Sequence, residues 1–444
     1  MITTVACALV AGVLSAGAEA DVSIPFEKYV IESNGLEVIL SEDHQLPIVA
    51  VNLWYHAGPI NEAVGRTGFA HLFEHLMFQG SKNVGDDQHF KLLEAAGASM
   101  INGTTDYDRT NYFETVPSNR LELALWLESD RMGFLLDTLT QEKLDNQRQV
   151  VMNERRQSVE NVPYGPSGEK MVQTLFPSDH PYYGYVIGSM KDLDAASLDD
   201  VHAFFERYYA PANATLVVAG DIDPTATKAL IAKYFGSLAR RPAPADRPVQ
   251  TPPITSERVE TVEEPIQLAR VQLGWLAPAS FAPGDADCDV LAFILGHGKT
   301  SRLYKRLVYE LEIAQTVSAS QESLALASIF TVTVTGRPGV DVEKLQTETQ
   351  KVLDAIRAAP PKKREVLRAR NRLVTHKITG LQRLGGFGGR ADLLNRYNLY
   401  LDDPDYLAQD MARYDAVTPT TVHALAKTLL ASDKRAVVIT VPAK

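Results

Sequence analysis

Residues 68–80 read GFAHLFEHLMFQG, a stretch of helical length that is bracketed by glycines and apolar on nearly every side. Such a helix is expected to be buried. Glu74 and His75 follow His71 by three and four residues, so the three side chains project from neighbouring positions on one helix face. Burying an unpaired carboxylate with two imidazoles costs on the order of several kcal/mol. The pattern therefore predicts a compensating group, and a divalent metal ion provides one.

The order H-x-x-E-H is the motif of the inverzincins. Neutral imidazoles one helical turn apart can share a tetrahedral zinc ion, while the carboxylate stays free to take a proton from water. We therefore predict His71 and His75 as metal ligands and Glu74 as the catalytic base. The alternative is a pair of core histidines with satisfied hydrogen bonds beside a partnered glutamate.

A third ligand is expected, because catalytic zinc usually has three protein ligands. Residues 141–161 have a strong helical pattern, and Glu154 is its first carboxylate after an apolar step. Glu154 is thus a candidate ligand. The residues alone favour another interpretation, in which Glu154 is a solvated glutamate paired with Arg155 or Arg156.

The composition describes a large globular chain. Its 444 residues are 45% hydrophobic, so it is too long for one core and too apolar to be disordered. The 44 basic and 55 acidic residues give a net charge of -11, which argues against a nucleic-acid partner or an anionic membrane surface. The two cysteines, Cys7 and Cys288, provide neither a disulfide framework nor a cysteine zinc site. Any metal must be held by His, Asp or Glu.

A proline-rich stretch, residues 239–258, separates two halves that look alike. Each half opens on an alternating strand and closes on a β-rich run, with long helical patterns between them. These opening and closing runs are residues 48–55 and 214–220 in the first half and residues 269–275 and 436–441 in the second. The sequence therefore predicts an internal repeat and an α+β fold, with domains at 21–238 and 259–444 joined by a linker.

Residues 1–20 are predicted to be a signal peptide, because a short run of small apolar residues ends in Ala18-Glu19-Ala20, which a signal peptidase can cut. Export to the periplasm is then expected. The run lacks a basic n-region, so the ordinary N-terminus of a cytoplasmic protein is the alternative. It is short for a membrane span, and no other stretch approaches the length of a membrane helix.

Several stretches, in this order, resemble the pitrilysin family of zinc peptidases. They are GRTGFAHLFEHLMFQGS (65–81), GASMINGTTDYDRTNYFETVP (97–117), LDNQRQVVMNERRQSVEN (144–161), HPYYGYVIGS (180–189) and FFERYYAPANATLVVAGD (204–221). The chain is similar to the half-length type, which includes the catalytic subunit of mitochondrial processing peptidase and bacterial two-subunit relatives. The resemblance implies an endopeptidase that cuts extended peptides with one Zn²⁺ per chain. It makes His71, His75 and Glu154 the ligands and Glu74 the general base.

The resemblance also assigns supporting residues. Family members hold the peptide substrate as an added strand at a sheet edge, and this role falls on Asn102, Gly103 and Thr104. A hairpin turn around Asn102-Gly103 is the alternative from the residues alone. Gln147 falls where some members carry a further carboxylate beside the metal, and here it is an amide.

Family enzymes resemble a clam shell of two halves, each with two similar domains whose mostly antiparallel sheets pack against helices, and this chain is one half long. The opposing half supplies an Arg and, seven residues later, a Tyr that stabilise the oxyanion. Here the two positions hold Val308 and Gln315, which cannot replace them. A different pitrilysin-like subunit is therefore expected to supply the pair. The alternative is a shift of register that brings in one of three neighbours, namely Tyr304, Arg306 or Tyr309.

Two other functions remain open. The same family contains noncatalytic core subunits of respiratory complexes, which keep the fold and typically lose the metal motif, so a scaffold is one. The other is a processing subunit that trims one dedicated precursor.

Overall fold

A computed structural model describes residues 22–245 and 249–443 of the chain. The predicted signal peptide, residues 1–20, lies outside the described residues. Among the helices of the described ranges, none combines the length and the apolar character needed to cross a membrane.

The first half forms a six-stranded sheet with helices packed on it. Its strands are β1 (Glu27–Val30), β2 (Glu37–Glu42), β3 (Ile48–Tyr55), β4 (Ser99–Thr105), β5 (Thr110–Pro117) and β6 (Ala214–Gly220). Its helices are α1 (Phe69–Leu76), α2 (Gln88–Ala95), α3 (Leu121–Phe134), α4 (Gln141–Arg155), α5 (Gly165–Leu175), α6 (Met190–Asp194), α7 (Leu198–Tyr208) and α8 (Pro224–Phe235).

The second half forms a five-stranded sheet. Its strands are β7 (Arg258–Glu264), β8 (Arg270–Ala277), β9 (Ala314–Glu322), β10 (Ser328–Gly336) and β11 (Ala436–Pro442). Its helices are α9 (Asp285–Gly296), α10 (Val342–Ala358), α11 (Lys363–Gly380), α12 (Arg390–Leu401), α13 (Leu407–Asp415) and α14 (Pro419–Leu429).

The two sheets repeat one topology. Their strand orders are β1-β2-β6-β3-β5-β4 and β7-β11-β8-β10-β9, so every strand of the second sheet has an equivalent in the first. In both sheets the pair formed by the first and last equivalent strands, β2 with β6 and β7 with β11, is parallel, and the other pairs are antiparallel. The predicted fold class, α+β with two similar and mostly antiparallel sheets, is confirmed.

Each half lends one helix to the other. The outer face of the first sheet packs against α12, and the outer face of the second sheet packs against α5. The contacts join Ala391, Leu394 and Tyr397 to Ile39, Ala50 and Val217, and Met171 and Leu175 to Ala436 and Val438. This double covering explains why β3 and β6 are buried on both faces. The division at residues 239–258 stays a prediction, and the packing crosses it in both directions.

The chain turns between β4 and β5 at residues 106–109. Asp106 Oδ1 accepts hydrogen bonds from the backbone N–H groups of Asp108 and Arg109, which closes the turn. Asn102 and Gly103 lie inside β4 and pair with β5. The alternative of a turn around Asn102-Gly103 is therefore wrong.

Candidate metal centre

Helix α1 carries the H-x-x-E-H motif and lies beside strands β4 and β5 at the edge of the first sheet. Its apolar side chains, Phe69, Leu72, Phe73 and Leu76, are buried in the core of the first half. His71, Glu74 and His75 lie on the remaining face and are partly exposed. The hydrophobic face thus fixes the helix, and the motif faces a solvent-accessible site.

Helix α4 brings Glu154 to the two histidines. The Nε2 atoms of His75 and His71 lie 3.2 and 3.8 Å from Glu154 Oε2. One potential ligand atom from each of the three residues lies within 4.8 Å of the other two. Side chains separated by about eighty positions in the sequence therefore converge on one point.

The protonation states at this point suit a metal ion. Burial and the neighbouring His75 lower the pKa of His71 to about 4, so its imidazole is neutral at pH 7. The hydrogen bond from His75 lowers the pKa of Glu154, which keeps it a carboxylate. Neutral imidazole and ionised carboxylate are the forms that bind metals.

The donor set fits zinc. Ligand atoms held tetrahedrally at about 2.1 Å from a zinc ion are roughly 3.4 Å apart. The separations of 3.2 and 3.8 Å to Glu154 lie on either side of that value. Two imidazoles and a carboxylate, with a position left for water, form a typical donor set of a catalytic zinc site.

Glu74 lies outside the cluster of ligand atoms and forms a hydrogen bond to strand β4. Thr105 Oγ1 donates a hydrogen bond to Glu74 Oε2 at 2.6 Å, and burial raises the pKa of Glu74. Gly103 makes room for this side chain, because a Cβ on Gly103 would lie 2.9 Å from Glu74 Cγ. The absence of a side chain at Gly103 therefore lets β4 lie close to α1 at Glu74.

The predicted substrate-binding residues lie on β4, which is the edge strand of the first sheet. Asn102 is exposed, Gly103 is buried against Glu74, and Thr104 is half-buried. Arg109 donates to the carbonyl oxygen and the hydroxyl of Thr104. Within the described chain no further strand pairs with the outer side of β4.

Gln147 is buried on α4, two helical turns before Glu154. Its side-chain amide donates to Asn146, and among the described residues no hydrogen bond joins it to His71, His75 or Glu154. Gln147 therefore lies on the same helix as Glu154, without a direct hydrogen bond to the potential ligand residues.

The alternative interpretation of Glu154, as a solvated glutamate paired with Arg155 or Arg156, is wrong. Arg155 donates to Glu169 and to the carbonyl oxygen of Gly188, and Arg156 donates to Asn153. Both guanidinium groups therefore have other partners, and Glu154 faces the histidines.

Glu62 holds the start of α1 and was not singled out from the sequence. Its Oε2 and Oε1 atoms accept hydrogen bonds from the backbone N–H groups of Gly68 at 3.0 Å and Ala70 at 2.8 Å. A carboxylate at a helix N-terminus satisfies free N–H groups and interacts favourably with the helix dipole. Glu62 stands six residues before Gly68, outside the spacing of the usual capping motifs, so no local pattern reveals it.

Replacing Glu62 with Ala is expected to lower the free energy of unfolding of the zinc-free chain by about 1–3 kcal/mol, because buried N–H groups of α1 lose their acceptor. Zinc affinity should fall as well, since His71 directly follows Ala70. Denaturant titration and zinc titration measure the two effects. Glu62→Gln keeps one acceptor oxygen and should lose less. Wild-type values for Glu62→Ala would show that this carboxylate does not hold the helix.

A second cluster of possible ligands is buried in the first half. His89, Glu114 and Glu128 also bring three ligand atoms within 4.8 Å of one another. Arg131 donates to both carboxylate oxygens of Glu128, and burial together with the charge of Glu128 raises the pKa of Glu114. A metal ion would lie against the charge of Arg131, so this cluster is a buried ion-pair network.

Two family models match the chain. Residues 37–178 match the insulinase model of peptidase family M16, and residues 195–373 match the peptidase M16 inactive domain. The chain belongs to the M16 family of peptidases. This confirms the resemblance to the pitrilysin family. All residues of the candidate metal centre fall in the insulinase match, whereas α9, which follows β8 as α1 follows β3, contains no histidine.

The chain is similar over most of its length to relatives that are named as proteases. Zinc protease PqqE of Helicobacter pylori (strain ATCC 700392 / 26695) is 30% identical over 351 residues, which are 78% of each chain. The crystal structure of a protease from Helicobacter pylori has a TM-score of 0.87 and 26% identity over 94% of this chain and 100% of that chain. The periplasmic protease PqqL from Escherichia coli has the same fold, with a TM-score of 0.76 and 18% identity over 95% of this chain and 48% of that chain.

Proposed function

We propose that this M16 chain is a zinc-dependent endopeptidase that hydrolyses extended peptides in a closed chamber, as the catalytic subunit of a heterodimer. The observation that carries the proposal is the convergence of His71, His75 and Glu154 within 4.8 Å, with Glu74 beside them and bound to Thr105 instead of to the cluster. Ligands and base are thus separated in the way that metal-assisted hydrolysis requires.

In the proposed mechanism His71, His75 and Glu154 hold the zinc ion. When bound, zinc supplies Lewis acidity, which polarises the substrate carbonyl and makes water more acidic. Glu74 takes a proton from the attacking water and passes it to the leaving amine. The hydrogen bond from Thr105 occupies Oε2 of Glu74 and leaves Oε1 to exchange the proton.

The peptide is proposed to bind as an added strand on β4. Its main chain would pair with the outer edge at Asn102, Gly103 and Thr104, which reads little sequence. Because Gly103 touches Glu74, a bound strand runs past the catalytic base.

A second subunit is proposed to supply the oxyanion donors. Val308 and Gln315 occupy the family positions of the Arg and Tyr pair. Arg306, the one arginine among the three candidates for a substitute, pairs with Glu310 and Glu348, and it does not line the pocket around His71 and Glu154. A partner that carries both residues is therefore expected to close over the metal centre.

The proposed location is the periplasm. The signal-like residues 1–20 support it, and so does the periplasmic protease PqqL, the relative from Escherichia coli. A noncatalytic scaffold is less well supported. The chain keeps every residue of the H-x-x-E-H motif, and Glu154 lies against its two histidines.

One zinc ion per chain is the expected result of metal analysis on protein purified without added metal. Glu154→Gln should weaken zinc affinity by at least about tenfold to a hundredfold, the loss that follows from disturbing even a partner of a metal ligand. Glu142→Gln is the matched control, since Glu142 is exposed on the same helix α4. Absence of stoichiometric zinc, or equal affinity in the two variants, would contradict the proposed site.

A further inference from the structure

A glycine-rich loop of the second half, GGFGG at residues 385–389, lies against the first sheet. The loop leads from α11 into α12, and its base is closed by a hydrogen bond from the backbone N–H of Arg390 to the carbonyl oxygen of Arg383. A Cβ on Gly385 would lie 2.8 Å from the Cβ of Ala50 in β3. The loop therefore rests on the outer face of the sheet, the face that α12 covers.

The tip of the loop meets the edge strand β4. A Cβ on Gly386 would overlap the Cε methyl group of Met100. The ring of Phe387 packs edge-to-face on Phe113 of β5, with 5.1 Å between the ring centroids. Phe113 pairs with Asn102 of β4, and paired residues of antiparallel strands point to the same face. Phe387 thus lies on the outer face of the sheet, beside its edge.

A bulge in β4 turns Met100 toward this loop. The pairing of β4 with β5 shifts register between Ser99 and Asn102, and Met100 has a φ of 57°. This left-handed backbone is uncommon for a residue other than glycine, and bulges typically redirect a side chain. The next residue, Ile101, packs against the core of the first half. The side chain of Met100 is therefore directed away from that core and onto Gly386.

Two large apolar side chains are exposed where the loop meets the strand. Met100 is 50% exposed and Phe387 is 55% exposed, although they come from opposite halves of the chain. Single exposed apolar residues are ordinary on a protein surface, whereas adjoining ones are typical of binding surfaces. These two adjoin the edge of β4, where the peptide is proposed to bind. The peptide strand is therefore the occupant whose path crosses both side chains.

We infer that Met100 and Phe387 form a subsite for an apolar side chain of the peptide substrate, on the face of β4 that is turned away from the metal centre. The inference rests on the proposed function and adds a specificity determinant to it. Gly103 touches Glu74 on the inner face of the sheet, and the side chains of a strand alternate between its two faces. A bound peptide strand likewise alternates, so some of its side chains must point to the outer face.

Strand geometry gives the position of the subsite along the peptide. Met100 precedes Gly103 by three residues and Thr105 by five, and both of the latter contact Glu74. A strand rises about 3.3 Å per residue, so the subsite lies roughly 10–16 Å along β4 from the catalytic base. The apolar residue is therefore expected about three to five positions from the bond that is cut.

The test uses the full zinc-loaded chain and internally quenched peptides in which one phenylalanine is moved through the positions on both sides of the cleaved bond. Serine replaces it in the matched peptide, and mass spectrometry identifies the bond that is cut. We expect a remote position, about three to five residues from that bond, at which phenylalanine raises kcat/KM about tenfold, the lower end of the range for apolar pockets.

Phe387→Ser should reduce the ratio at the remote position to nearly one, and Phe387→Arg should favour a glutamate peptide there. Met100→Asn should lower the ratio at the same position, since asparagine tolerates a left-handed backbone. Preferences at the residues next to the cleaved bond should not change in these variants.

Leu367→Ser is the matched control, because Leu367 is also 50% exposed but lies on α11. This variant should keep the wild-type ratio at every position. Equal rates for phenylalanine and serine at all remote positions, or a remote preference that survives Phe387→Ser, would overturn the inference.

A binding measurement separates this inference from the proposed function. The Glu74→Gln chain is titrated with fluorescent versions of the same peptides, and dissociation constants replace rates. Tighter binding of the phenylalanine peptide that depends on Phe387, without hydrolysis by the wild-type chain, would support the subsite and contradict the peptidase. Hydrolysis without a remote preference in rate or binding would overturn the subsite and leave the peptidase standing.

Discussion

Glu74→Gln is expected to lower peptide hydrolysis by at least about a hundredfold, since positioned general bases contribute roughly 10²–10⁴ in rate. The amide has nearly the same shape and can still meet Thr105, but it cannot accept the proton of the attacking water. Zinc should remain bound, because the three ligand atoms come from other residues. Steady-state kinetics and metal analysis of the same preparation provide both measurements.

Glu94→Gln makes the same chemical change at an exposed position of the adjacent helix α2 and should leave the rate unchanged. If Glu74→Gln removed zinc while Glu154→Gln kept it, base and ligand would have been assigned the wrong way round. If Glu74→Gln retained wild-type activity, the proposed mechanism would be wrong.

The isolated chain is expected to hydrolyse peptides weakly, and a partner that carries the Arg and Tyr pair should raise the rate strongly. Removing one oxyanion donor typically costs about 10²–10³ in kcat, and this chain lacks both at Val308 and Gln315. Mixing the chain with such a partner should therefore raise the rate of peptide hydrolysis by at least about a hundredfold. Peptide cleavage is compared for the chain alone, the partner alone and the mixture.

A partner whose Tyr is changed to Phe is the control for the oxyanion role, because it keeps the ring and loses the hydroxyl donor. This mixture should still form the complex, as measured by size-exclusion chromatography, while its rate falls. Full activity of the chain alone, unchanged by any partner, would rule out the heterodimer and point to Arg306 or a neighbouring tyrosine.

Local pattern predicted several elements of the first half of the chain, including the helix that carries Glu154. The alternating run 48–55 is β3 residue for residue, and the β-rich run 214–220 is β6. The run 141–161 is helical up to Arg155 and continues as a short π-helical segment over Arg156–Glu160. Alternating or continuous apolar runs report the burial of an element, so local pattern succeeds where an element packs against a core.

The parts that were missed depend on contacts between distant segments. The alternation of β4 places Gly103 and Thr105 on one face, which could have indicated that Thr105 accompanies Gly103 toward Glu74. No such signal exists for Glu62, whose partners are fixed by the path of an irregular loop. The pocket beside the metal centre was equally hidden, because its lining combines residues of both halves, such as Glu154 and Gln272.

The exchange of α5 and α12 bears on how a peptide reaches the metal centre. Pulling the halves apart would uncover both sets of apolar contacts at once, and each exposed square ångström costs about 25 cal/mol. The two halves are therefore expected to move together as one rigid body, with no hinge between them. In the proposed heterodimer, peptide entry and product release would then require transient opening of the contact between the two subunits. Turnover should therefore vary with subunit concentration and with the strength of that contact.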